Sequence, residues 1–245
     1  MRINIRHCYI AFIAAFLLAA SSALAAQESL ARSPSVTPLE KNRLDPGCHL
    51  PDSRALSHIV QLRGDNGGHA SGVVIRKNLL LTVAHAIAGE NRVFADIHGE
   101  LQETLPLIIN ESRDLALLQV DTGVLQPIAI AASPLSRHER VWAIGFPLGK
   151  NQRTSHGVLT DNENGLLYTT AHINQGTSGG GLLRCANGEN NEYELAGIVR
   201  AYIADVTANQ PINTGDSVAV GKAPILDLLH LADSSELSIA AMQLR

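Results

Sequence analysis

The chain has 245 residues, of which 45% are hydrophobic, 17% charged and 4% aromatic, and its formal net charge is −4. This hydrophobic content is too high for a disordered chain, and a slightly acidic chain without a basic block argues against nucleic-acid binding. The length suits one large or two small globular domains.

The first 25 residues have the pattern of a secretory signal peptide. A positively charged start precedes an apolar run over Cys8–Ala20, and small residues follow it. This order is typical of an export signal, and the run is too short to span a bilayer comfortably. We therefore predict a signal peptide over 1–25, an extended leader over 26–51 and a location in the periplasm or outside the cell, with no stable membrane insertion after cleavage. An uncleaved membrane anchor is the alternative.

From Leu56 onward the sequence changes to short apolar runs separated by Gly, Asn and Asp, which indicates β-strands. Only Pro224–Leu231 has the apolar spacing of a helix. Two groups of six strands, divided near 122–139, predict an all-β protein, either a sandwich or closed barrels. The predicted strands cover 57–63, 71–76, 79–84, 92–98, 104–109, 115–120, 140–145, 154–159, 165–171, 180–184, 194–203 and 217–221.

Two of the three cysteines, Cys48 and Cys185, lie beyond the predicted signal peptide. In an oxidising compartment an even pair favours a disulfide bond, and two buried free thiols are the alternative. The histidines are scattered without the spacing of metal ligands. We therefore expect no metal site.

Three local signatures carry residues suited to nucleophilic catalysis. His85 ends an apolar strand, Asp114 opens a buried strand, and Ser178 lies in the glycine-rich segment 174–180. A serine hydroxyl becomes a good nucleophile when an imidazole removes its proton, and a buried carboxylate orients that imidazole and stabilises its charge. Glycines allow a tight turn that brings two backbone N–H groups towards one point, as a developing oxyanion requires. The signatures together predict acyl-transfer chemistry.

The same signatures, in this order, resemble the chymotrypsin-like (trypsin-fold) serine proteases, and in particular the protease domain of the bacterial HtrA/Deg family. The resemblance runs from about Gly72 to Leu229. It also includes the segments 141–149, 154–158 and 194–199.

This resemblance implies two six-stranded antiparallel β-barrels, about 52–122 and 139–231, within a trypsin-like domain of 52–245 that has a short C-terminal helix. Thr177 stands where the vertebrate digestive enzymes carry an aspartate that pairs with a new N-terminus, so we expect no activation of that kind. The 67 residues after Ser178 are needed to finish the second barrel. We therefore expect no PDZ domain, and a monomer.

The resemblance also assigns roles to the residues of the three signatures. Ser178 is the nucleophile, His85 the general base and then the general acid, and Asp114 the orienting carboxylate. The backbone N–H groups of Gly176 and Ser178 form the oxyanion hole.

The substrate pocket is assigned in the same way. His172 falls at a position that commonly lies at the floor of the primary pocket, and a substrate strand pairs along the wall formed by Arg200, Ala201 and Tyr202. Two polar or basic groups near that pocket would favour an acidic or polar residue before the scissile bond. A small aliphatic preference, with His172 pointing away, is the alternative.

We therefore expect an exported serine endopeptidase that cleaves protein or peptide substrates through an acyl-enzyme, without a cofactor. A catalytically silent binding or chaperone-like module on the same scaffold is the alternative from another class. An esterase is a subsidiary possibility, because it shares the acyl-transfer chemistry.

Overall fold

The computed structural model describes residues 49–186, 192–207 and 210–243. The predicted signal peptide, most of the predicted leader, and Cys48 lie outside these residues. No helix within the described part of the chain has both the length and the hydrophobicity of a membrane span.

The first half of the described chain forms one seven-stranded antiparallel sheet in the order β5-β4-β1-β2-β3-β7-β6. A short helix, α1, precedes it, and Asp52 caps that helix by accepting the Ala55 N–H at 2.9 Å. The elements are α1 (Ser53–Ser57), β1 (Ile59–Gly64), β2 (His69–Arg76), β3 (Leu79–Thr82), β4 (Val93–Ile97), β5 (Glu100–Glu103), β6 (Leu105–Asn110) and β7 (Leu115–Gln119).

The second half forms a closed six-stranded antiparallel barrel in the order β10-β13-β12-β11-β8-β9. A C-terminal helix, α2, follows its last strand. The elements are β8 (Arg140–Gly145), β9 (Arg153–Glu163), β10 (Leu166–Thr169), β11 (Gly181–Cys185), β12 (Tyr193–Thr207), β13 (Gln210–Gly221) and α2 (Lys222–Gln243).

The predicted all-β fold is confirmed, but the first sheet has seven strands where six were expected. The extra strand arises because the chain bends at Thr104, which is buried and donates both its N–H and its hydroxyl to Val93 O, at 2.8 and 3.0 Å. Of the two segments joined by this bend, β5 pairs with β4 and β6 pairs with β7, at opposite ends of the sheet. The bend therefore curls the sheet into a half-barrel.

In each half, one face of the strands packs into that half's own core, and the opposite face packs against the other half. Neighbouring residues point to opposite faces of a strand, so Val74 and Leu80 enter the core of the first sheet while Val73 and Leu81 enter a core shared with the second half. This shared core also contains Ile144, Leu183, Ile198 and Leu228. A third core is built from all six strands of the barrel.

The C-terminal helix is longer than the predicted Pro224–Leu231, because it continues through Gln243. The residues that follow Leu231 contain neither Gly nor Pro and include good helix formers, so propensity does not end the helix there. An ion pair between Asp233 of α2 and Arg76 of β2 ties the helix to the first sheet.

Candidate active site

His85 lies in the turn that follows β3 of the first sheet. After β3 the chain enters a 3-10 turn, Ala84–Ala86, in which Ala84 is buried and the His85 side chain is 49% exposed. The apolar strand thus holds the backbone while the imidazole stays accessible to a substrate.

Asp114 lies directly against His85. Its carboxylate accepts the His85 backbone N–H at 3.0 Å, and its Oδ2 lies 2.9 Å from His85 Nδ1. Asp114 ends the turn before β7 with a φ of +54°, a left-handed conformation that aspartate adopts more readily than most residues. Because the carboxylate accepts a hydrogen bond from Nδ1–H, the neutral ring keeps its free lone pair on Nε2.

The Asp114 carboxylate is buried and remains ionised. Burial acts to raise its pKa, but hydrogen bonds from the ring and backbone of His85 and from Arg200 outweigh burial and lower the pKa to about 2. Asp114 is therefore a full negative charge at any pH at which a histidine titrates.

Ser178 lies in the loop between β10 and β11, and this loop is fixed by backbone contacts. The Ser178 carbonyl accepts the N–H of Ser71 on β2 at 2.8 Å. The N–H of the next residue, Gly179, donates to Val199 O at 2.8 Å. Its hydroxyl donates to the carbonyl of Arg200 at 3.0 Å. The described residues show no hydrogen bond between Ser178 and His85, although Arg200 contacts both Ser178 and Asp114.

Two backbone N–H groups in the loop that carries Ser178 donate no hydrogen bond among the described residues. Gly176 has a φ of +87°, and its carbonyl accepts the Ser71 hydroxyl at 2.8 Å, while the preceding carbonyl of Gln175 accepts Leu148 N–H at 2.7 Å. Within the described residues, neither the Gly176 N–H nor the Ser178 N–H donates a hydrogen bond. Both donors are therefore available to a negatively charged oxygen.

Ser71 is a positioning residue that sequence reasoning missed. Its fully buried hydroxyl donates to Gly176 O and accepts the Phe146 N–H at 2.9 Å, so one side chain of the first sheet holds two loops of the barrel half. Thr82 in turn donates to Ser71 O at 2.8 Å. The sequence signal for it is a serine within the apolar strand of residues 69–76.

Replacing Gly176 by alanine tests the oxyanion geometry. A Cβ there would lie 2.7 Å from Phe146 O and 2.8 Å from Leu148 N, so the backbone must move. We expect kcat to fall about 10²–10³-fold, as when one oxyanion donor is lost. Gly67→Ala is the matched control, because Gly67 has a φ of +90° with nothing within 4 Å of its Cβ position. Equal kcat values for the two variants would contradict the assignment.

The predicted pocket residues have different contacts in the structure, and their joint role in one pocket stays a prediction. The guanidinium of Arg200 lies on Asp114, with its Nε 2.8 Å from Oδ2, while Ala201 is exposed and Tyr202 is half-buried. His172 instead lines a cavity of about 220 Å³ together with Arg153, and this cavity is not lined by Arg200, Ala201 or Tyr202 in the part of the chain that is described. Arg153 was not singled out from the sequence, because it opens an ordinary strand.

Cys185 is disulfide-bonded. Cys48 lies outside the described residues, so its pairing with Cys185 stays a prediction. Among residues 49–186, 192–207 and 210–243, no three His, Cys, Asp or Glu side chains are grouped to hold a metal ion.

A curled sheet packed on a closed six-stranded barrel, with a His–Asp pair at the end of β3, is the architecture of the chymotrypsin-like class. Residues 70–190 match the trypsin-like peptidase domain. This part of the chain is therefore similar to trypsin-like peptidases, and its relatives include proteases named HtrA and DegQ.

Two curated relatives show how much of the chain is shared. The magnetosome formation protease MamE of Magnetospirillum gryphiswaldense is 30% identical over 135 residues, which are 48% of this chain and 17% of MamE. The periplasmic pH-dependent serine endoprotease DegQ of Escherichia coli is 33% identical over 170 residues, which are 64% of this chain and 34% of DegQ. The chain thus spans about a third or less of the length of these relatives.

The solved structures show the fold. The serine endoprotease from Yersinia pestis superposes with a TM-score of 0.61 and 24% identity, over 75% of this chain and 68% of that chain. This likeness establishes a shared trypsin-like fold.

Proposed function

We propose that the protein is an exported serine endopeptidase that hydrolyses peptide bonds through an acyl-enzyme on Ser178. The observation that carries the proposal is that two N–H groups of the loop that carries Ser178, those of Gly176 and Ser178, donate no hydrogen bond among the described residues. Two donors without partners in a rigid loop are what a tetrahedral intermediate needs and what a purely structural turn would avoid.

In the proposed mechanism, His85 and Asp114 act together to form the acyl-enzyme. His85 Nε2 takes the Ser178 hydroxyl proton as the oxygen attacks the scissile carbonyl, and Asp114 stabilises the imidazolium at 2.9 Å. The new Oγ–C bond forms, the carbonyl oxygen becomes an oxyanion held by the two N–H groups, and the C–N bond then breaks. His85 returns the proton to the leaving amine. Water then attacks the acyl carbon while His85 Nε2 takes a proton from it. The Oγ–C bond breaks, the acid is released, and His85 returns the proton to Ser178 Oγ.

The Ser178 hydroxyl has to leave Arg200 O before it attacks. Beyond Ile198, β12 pairs with β13 on one side, and the described residues place no strand on its other side at Ala201 and Tyr202. A substrate strand that pairs along this edge donates its own N–H to Arg200 O. Substrate binding then displaces the hydroxyl towards His85, which is consistent with catalytic hydrogen bonds that form only in the complex.

The primary pocket is proposed to favour an acidic or polar residue before the scissile bond. This preference needs His172 and a second basic group in one pocket. Arg200 is bound to Asp114, but Arg153 lines the same cavity as His172. We expect a peptide library to be cleaved preferentially after Asp or Glu. A clear preference for Val or Ala would contradict this proposal and favour the small aliphatic pocket.

Export is part of the same proposal. The disulfide at Cys185 fits an oxidising compartment, and the pattern of residues 1–25 supports a cleaved signal. We propose a periplasmic or secreted monomer that acts on proteins or peptides. Mass spectrometry of the N-terminus after expression in a bacterium tests the signal, with cleavage expected after Ala25 or Ala26.

Incubation with an unfolded protein, such as reduced casein, tests the activity. We expect internal fragments, identified by mass spectrometry, that are absent when the enzyme is pretreated with a fluorophosphonate. Hydrolysis of small esters without fragments would indicate an esterase. Binding of casein without cleavage, by a protein with a cooperative thermal transition, would indicate the silent module.

A further inference from the structure

Arg200 contacts the carboxylate of the proposed triad with its side chain. Its Nε donates to Asp114 Oδ2 at 2.8 Å, and the same oxygen accepts His85 Nδ1 at 2.9 Å. Asp114 Oδ1 accepts the His85 backbone N–H. One carboxylate oxygen is therefore shared between an arginine that is always charged and an imidazole that gains charge during the reaction.

Two ionisable side chains face Asp114 from the elements packed against it. His85 comes from the 3-10 turn after β3, and Arg200 comes from β12. On the turn that carries Asp114 itself, Glu111 and Arg113 are exposed, and neither side chain forms a hydrogen bond or an ion pair among the described residues. The balance of charge at Asp114 is thus set by His85 and Arg200.

The shared oxygen has an electrostatic consequence. The negative charge of Asp114 favours a protonated His85, while the positive charge of Arg200 disfavours it and offsets part of the Asp114 field. The Arg200 side chain is 42% exposed, so solvent weakens but does not remove this effect. Loss of the Arg200 charge would therefore strengthen the field of Asp114 at the imidazole.

We propose that Arg200 is a positioning residue that holds Asp114 in place and shares its charge with His85, which extends the activity of the enzyme towards acidic pH. This role rests on the proposed function of Ser178, His85 and Asp114, because it acts through them. The side chain of Arg200 performs it, while the carbonyl of the same residue accepts the Ser178 hydroxyl. Substitution of the side chain leaves that carbonyl in place.

The pH dependence of kcat/KM tests the proposal, and in particular its acid limb, the range in which kcat/KM falls as the pH is lowered. In Arg200→Ser we expect this limb to move to higher pH by about 0.5–1 unit, the size expected for one partly screened neighbouring charge. Arg200→Lys keeps the charge and is expected to stay close to the wild-type profile. Arg113→Ser is the matched control, because it removes an exposed arginine next to Asp114 that does not touch the carboxylate, and its profile should not move.

An NMR titration separates this inference from the proposed function. In a Ser178→Ala background, which needs no activity, the midpoint of the His85 ring titration should rise by the same amount when Arg200 is replaced by serine. A rise without measurable proteolysis by the wild type would support the Arg200–Asp114–His85 coupling and refute the peptidase. An unchanged midpoint in a folded Arg200→Ser protein would refute the coupling alone.

Discussion

Ser178→Ala is expected to lower kcat for peptide hydrolysis by about 10⁴–10⁶-fold, because it removes the proposed nucleophile and leaves only binding and oxyanion stabilisation. The hydroxyl makes one hydrogen bond, to Arg200 O at 3.0 Å, so its loss should change the thermal midpoint little. Steady-state kinetics on a peptide substrate, with a thermal melt of each protein, measures both.

Ser57→Ala is the matched control for this loss. Ser57 is an exposed serine whose hydroxyl also donates to a backbone carbonyl, Arg54 O, at 2.7 Å. Its kcat should equal that of the wild type. If Ser178→Ala retained more than a tenth of the wild-type kcat, Ser178 would not be the nucleophile.

Asp114→Asn is expected to lower kcat by about 10⁴-fold at neutral pH. An amide that donates to Nδ1 forces the proton of His85 onto Nε2, which then has no lone pair for the Ser178 proton. The mutant should fold, because asparagine also tolerates the φ of +54° at this position. A kcat within tenfold of the wild type would show that His85 keeps its tautomer without the carboxylate.

The same substitution should remove a pH dependence of stability. The folded state lowers the pKa of Asp114 from 3.8 to about 2, so its contribution to the free energy of unfolding is complete above pH 4 and is lost as the pH falls towards 2. Over this range the wild type should lose about 2 kcal/mol more than Asp114→Asn. Urea titrations at several pH values measure the difference, and parallel curves would contradict it.

Much of the fold could be predicted from the sequence, because the strands alternate short apolar runs with turn residues. In the pairs Val73–Val74 and Leu80–Leu81, both neighbouring residues are apolar. They point to opposite faces of the strand, and each face packs against a core. The bend at Thr104 could not be predicted, since it depends on the tertiary contact with Val93 O. The full length of α2 was missed because its apolar spacing weakens after Leu231.

The candidate site was predictable only where chemistry leaves a local signature. His85, Asp114 and the glycines around Ser178 have such signatures, and the structure brings His85 and Asp114 into contact. Ser71 has only a weak signal, a serine within an apolar strand, because its two partners lie 75 and 105 residues away in the chain.

Arg200 was placed in the substrate pocket by the resemblance, and its backbone does contact Ser178. Its side chain turns to Asp114, 86 residues earlier in the chain. The direction of a long side chain depends on which charge lies within its reach, and that information is tertiary. The role of such a residue therefore follows from the structure alone.

Mapping of a fluorophosphonate adduct tests the central claim, that Ser178 is an activated nucleophile. An activated Ser178 Oγ attacks phosphorus, an Oγ–P bond forms, and fluoride and a proton leave. We predict one adduct per chain, on the tryptic peptide that contains Ser178, and no adduct in Ser178→Ala. A folded protein that stays unlabelled at neutral pH, or that is labelled equally after Ser178→Ala, would contradict the account.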